Sequence, residues 1–114
     1  MTIEQIIEKQ MLAYTNRDIE SMMALFSQEI KIVDFSDNRI IIQGIDECQK
    51  MYHTLFLNSP DLRAEILNSI TFDNKVIVQE YIHGRNGSAE KMEQAIIFEI
   101  NNEKIDKITV IKKN

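Results

Sequence analysis

The chain has 114 residues, enough for one domain (1–114) with one core, burying roughly two-thirds of the surface its unfolded form would expose. Hydrophobic residues make up 44% and charged residues 27%, which excludes an intrinsically disordered chain. The net charge of −5 and the scatter of its basic residues, clustered only at Lys112-Lys113, exclude nucleic acid as the main partner, since a phosphate backbone is bound by grouped Lys and Arg.

Thr2-Ile3-Glu4-Gln5 has the form of a capping box, with Thr2 as N-cap and Gln5 three residues on. Ile3, Ile6, Ile7, Met11 and Tyr14 then recur at helical spacing. Asn16-Arg17-Asp18 interrupts the pattern, and Asp18 caps a second expected helix carrying Ile19, Met22, Met23, Leu25 and Phe26. At Ile30 the texture changes. Ile30 to Phe35 is rich in β-branched residues and reads as a strand; Ser36-Asp37-Asn38 is a turn, and Arg39 to Gln43 a second strand. After Gly44, a stripe of Ile45, Cys48, Met51, Tyr52, Leu55 and Phe56 marks a third helix, ended by Asn58-Ser59-Pro60. Four strands are expected beyond it: Leu62 to Phe72, Val76 to His83, Met92 to Ile100 and Ile105 to Ile111. A polar loop containing the hairpin signal Asn86-Gly87 separates the middle two.

Helices gathered early and antiparallel strands gathered late predict an α+β domain. The strands carry apolar residues on both faces. Ile96, Phe98 and Ile100 oppose Ala95 and Ile97; Val76, Val78 and Ile82 oppose Ile77 and Tyr81; Ile105 and Ile111 oppose Ile108 and Val110. Three helices cover one face of a curved sheet, so the outer face is expected to join a second copy as a homodimer. Cys48, the sole cysteine, forms no internal disulfide and suits a reducing compartment. No basic segment precedes an apolar run, and no stretch is suited to crossing a bilayer, so a cytoplasmic protein without membrane contact is expected.

Several segments carry a family resemblance. Asn16-Arg17-Asp18-Ile19-Glu20 with Ala24-Leu25-Phe26-Ser27 is similar to an opening helical pair, and Ile32-Val33-Asp34-Phe35 to a first strand. Gln43-Gly44 followed by Tyr52 and Phe56 is similar to a third helix, and Phe98 to Ile105 to a last hairpin. Together they resemble the nuclear transport factor 2-like superfamily, which includes ketosteroid isomerases and SnoaL-like polyketide cyclases. The resemblance implies a cone-shaped antiparallel or mixed sheet wrapped on an N-terminal helix, a cystatin-like roll with a pocket at its open end, and often a dimer. That superfamily holds enzymes and binding proteins alike.

Asp34 shares a strand face with Ile30 and Ile32. A carboxylate in an apolar pocket has its pKa raised and is suited to moving a proton; the resemblance places the isomerase general base here. The competing reading has Asp34 hydrogen-bonding the backbone of the Ser36-Asp37-Asn38 turn. The rest of an isomerase site does not follow. Aligned through Asp18 and Phe26, the family's tyrosine donor is replaced by Gln10, with Tyr14 one turn further; aligned through Phe98, its protonated aspartate is replaced by Ile96, which donates nothing to an oxyanion. Glu80, on the face of Val76 and Val78, is a second candidate acid, or else a rim residue paired with a base. Tyr14, Phe26, Tyr52, Phe56, Ile96 and Phe98 are the expected pocket walls. His53, His83 and Cys48 lack metal-ligand spacing, and no metal or cofactor is expected.

Three functions follow. The first is a pocket protein holding a small, largely apolar molecule, with Asp34, Tyr14 and Tyr52 as polar contacts. The second is a proton-transfer enzyme (isomerase, cyclase or lyase) with Asp34 as base, Glu80 as a further acid and Tyr14 as a donor. The third is a dimeric interaction module whose interior is filled.

Overall fold

The computed structural model describes residues 1–113. Helix α1 runs Ile3–Thr15, α2 Ile19–Met23 and α3 Ile45–Leu57; strands are β1 Phe26–Asp34, β2 Ile40–Gln43, β3 Arg63–Phe72, β4 Lys75–His83, β5 Met92–Asn101 and β6 Lys104–Lys112. The capping box forms: the Gln5 N–H donates to Thr2 Oγ1 at 3.1 Å, and the Thr2 N–H to Gln5 Oε1 at 2.9 Å. Asp18 caps α2 by accepting from the Ser21 N–H at 3.1 Å.

The six strands form one sheet in the order β2-β1-β6-β5-β4-β3. Among the described residues, β1 and β6 pair in parallel and the other ladders are antiparallel. Register shifts interrupt the ladders at Ile32/Val33, Ile66/Asn68 and Glu99/Ile100. Each such irregularity bends a strand and increases its twist. The inner face packs on α1 and α3 through one core that includes Ile6, Met22, Ile30, Val78, Phe98 and Ile105.

Two expectations are corrected. Phe26 opens β1 instead of closing the second helix. The Ile105 N–H donates to the Leu25 carbonyl at 2.8 Å, and Phe26 pairs with Ile105, so sheet pairing captures this segment against its helical spacing. Ile105 and Ile108 were expected on opposite faces, yet both belong to the core. The ladder advances one residue on β5 (Glu99 to Ile100) while it covers two on β6 (Lys107 to Ile105), leaving Asp106 as a bulge that reverses the parity.

Candidate functional site

The inner faces of β4 and β5 are built by simple alternation. Val76, Val78, Glu80 and Ile82 are buried on β4, and Gln94, Ile96, Phe98 and Ile100 on β5. Glu80 therefore faces inward, directly across from Gln94. The α3 stripe turns Met51, Tyr52 and Leu55 towards this face, and α1 contributes Gln10 and Tyr14 one turn apart. Between them lies a cavity of about 140 Å³.

Most of its wall is apolar. Ile96 and Phe98 line it with Ile32 and Ile108, opposite Tyr14 and Tyr52. The Tyr14 and Tyr52 rings meet edge to face with centroids 6.5 Å apart. Phe26 and Phe56, expected as walls, form a second layer behind Tyr52, at centroid distances of 6.1 and 5.9 Å. They shape the pocket through Tyr52 and are absent from its lining.

The polar end centres on Glu80. Gln94 Nε2 donates to Glu80 Oε2 at 2.8 Å, and both side chains are buried. Burial pushes the Glu80 carboxyl above its usual range, and the Gln94 hydrogen bond opposes this only partly. Two further acceptors stand nearby without a donor among the described residues: the buried Oε1 atoms of Gln10 and Gln94. Burial also pushes the Tyr14 phenol to about 12 and raises that of Tyr52, so both remain protonated donors at neutral pH.

Asp34 is elsewhere. It has the inward parity of Ile32, but it is the last residue of β1 and lies outside the cavity lining. Its Oδ1 accepts from the Ser36 N–H at 2.9 Å and the Ser36 hydroxyl at 2.7 Å, and Arg39 Nη2 is 3.9 Å from Oδ2. The Ser36 hydroxyl, then its N–H, hold the Asp34 carboxyl below the ordinary range. The expected apolar setting is corrected: Asp34 caps a turn and stays ionised, because a strand's final residue is within reach of the turn's free N–H groups.

Gln94, Arg85 and Lys112 line the cavity without having been singled out from the sequence. Gln94 was accessible to alternation, two residues before Ile96. Arg85 carried no signal, because it sits in the β4–β5 loop, whose path only the fold determines. Among the described residues no three His, Cys, Asp or Glu side chains gather as a metal site, and no helix is long and apolar enough to cross a membrane.

A family model described as a SnoaL-like domain matches residues 7–108. No curated protein matches the chain. Among solved structures, an uncharacterised cystatin-fold protein from Novosphingobium aromaticivorans superposes with a TM-score of 0.88 at 14% identity, covering 98% of this chain and 99% of that one. A proposed polyketide cyclase from Sinorhizobium meliloti gives 0.79 at 16% identity over 96% and 99% of the two chains. A protein of ketosteroid isomerase-like fold from Catenulispora acidiphila, solved in complex with trimethylamine, gives 0.77 at 14% identity over 98% and 88%. At such identities the likeness speaks to the fold alone. The inward-curved sheet, the helices packed on it and the family match together establish that this chain belongs to the SnoaL-like domain family.

Proposed function

We propose that this domain binds a small, largely apolar molecule in its cavity, with Glu80, Tyr14 and Tyr52 as the polar contacts. The observation that carries this reading is a cavity of about 140 Å³ whose apolar wall ends in a buried carboxyl. Such a hollow matches, in size, an engineered apolar cavity of about 150 Å³ that takes up benzene, so the ligand is about one ring in size. The hollow itself speaks against an interaction module with a filled interior. The buried lone thiol of Cys48 supports a reducing, cytoplasmic setting. Titration with toluene, followed through the methyl resonance of Met51, tests the reading. Saturable shifts are expected; none at millimolar toluene refutes it.

A proton-transfer enzyme is the second reading, with Glu80 in the role first given to Asp34. It is favoured by one observation, the desolvated Glu80 carboxyl facing two protonated phenols across an apolar site. Turnover of cyclic enones that is lost in Glu80→Gln and kept in Asp34→Asn is the expected result. Equal loss in both variants, or no turnover, removes it.

A further inference from the structure

The sign of charge at the cavity runs against that of the chain. The protein carries −5 overall, yet the cavity is lined by two cations, Arg85 and Lys112, and by one acid, Glu80. Glu80 is buried and engaged by Gln94. Neither Arg85 nor Lys112 forms an ion pair or a side-chain hydrogen bond among the described residues, whereas Arg39, Lys107 and Lys113 each meet a carboxylate.

Arg85 is also held in place. Gly84, just before it, has φ +76°, and a Cβ there would stand 2.6 Å from the Asp61 carbonyl oxygen. That close approach excludes any side chain. The Asn86 N–H, just after it, donates to the buried Ser59 hydroxyl at 2.8 Å. The turn is thus packed on both sides of Arg85 against the segment joining α3 to β3, and Arg85 lines the cavity from it. The positive charge of Arg85 is felt by both phenols in the wall, Tyr14 and Tyr52. Lys112, the last residue of β6, is the second positive charge in the lining.

We infer that the ligand is an amphiphilic organic acid, about one ring in size, whose carboxylate is gripped by the Arg85 guanidinium while its apolar body lies against Met51, Leu55 and Phe98. This rests on the reading that the cavity holds a small molecule, and adds its chemical class. A guanidinium presents parallel N–H groups that match a carboxylate in two-pronged fashion, and a preset orientation lowers the entropy lost on binding. A ligand with a cationic end would meet Arg85 and Lys112 with like charge.

Three probes of nearly equal shape test it: phenylacetate, phenylacetamide and 2-phenylethylamine, titrated calorimetrically into the intact protein, with toluene as the uncharged reference. Phenylacetate is expected to bind about tenfold or more tightly than phenylacetamide, as a charge-assisted contact implies, and the amine weakest. Arg85→Gln is expected to bring phenylacetate down to about the affinity of the amide, so that the preference for the acid is lost. Arg85→Lys is expected to keep part of the preference, and Lys112→Gln to lower it slightly. If the amide or the amine binds as tightly as the acid, or if Arg85→Gln keeps the preference, the acid assignment is overturned while the cavity reading stands. If toluene and all three probes fail to bind, both fall together.

Discussion

Glu80 and Gln94 are cross-strand partners whose side chains meet at 2.8 Å inside the sheet's concave face. The amide donates to the carboxyl, and neither group reaches a positive charge among the described residues. A buried acid so placed titrates above its usual range. The folded state then holds its proton more tightly than the unfolded chain does, so stability falls as pH rises from the ordinary glutamate value of about 4.3 through the raised folded value. Glu80→Gln keeps the shape and removes the ionisation. It is expected to raise the melting temperature at pH 8, with the gain shrinking to nothing below the ordinary glutamate value. A gain that is constant across that range would show that Glu80 titrates normally.

Asp34 has the opposite sign. Its carboxyl is held below the ordinary range by Ser36. The stability it contributes is present above the unfolded pKa and is lost as pH falls through the lower folded one. Asp34→Ala is therefore expected to destabilise at pH 7 and to converge on the parent in strong acid, while toluene binding stays unchanged. Loss of binding in this variant, with the fold intact by NMR, would return Asp34 to the site.

Phe56 supports the pocket from behind, its ring 5.9 Å from those of both Tyr14 and Tyr52. Phe56→Ala is expected to cost about 3–5 kcal/mol, as for other buried aromatic truncations, measured by urea unfolding. It is also expected to let larger rings bind, since Tyr52 loses the surface against which it leans. A cost near zero would mean that the second aromatic layer is dispensable.

Gly84→Ala would strain a positive-φ position and press a methyl group against Asp61. A cost of about 1–2 kcal/mol or more is expected from the backbone conformation alone. The same change should displace Arg85 and weaken phenylacetate more than toluene, which calorimetry separates. An equal loss for both ligands would indicate general damage instead of a shifted guanidinium.

The outer sheet face carries a row in which Ile70 pairs with Ile77, and Ile77 with Ile97; Ile70 and Phe72 are exposed at its β3 end. A homodimer through this face is the expected use of that surface. Sedimentation at high micromolar concentration should report a dimer, and Phe72→Lys a monomer that keeps the parent's far-ultraviolet circular dichroism. A monomeric parent would remove the dimer.

Sequence periodicity by itself determined the order of helices and strands and split β4 and β5 each into two alternating faces, because alternation and helical spacing are local properties that burial enforces. It named Tyr14, Tyr52, Ile96 and Phe98 as cavity wall and grouped Glu80 with Val76 and Val78, while the fold decided that this face of β4 turns inward. What only the tertiary structure decided were features set by long-range pairing. Phe26 joined β6 against its local spacing, and the Asp106 bulge reversed the parity of Ile105. Asp34 had the right face but stood one step too far along β1, where a turn engaged it. Arg85 reached the cavity through a loop whose course depends on Ser59 and Asp61, more than twenty residues before it. Local pattern encodes which way a side chain points, whereas how far an element extends, and what it meets there, is settled by contacts between distant parts of the chain.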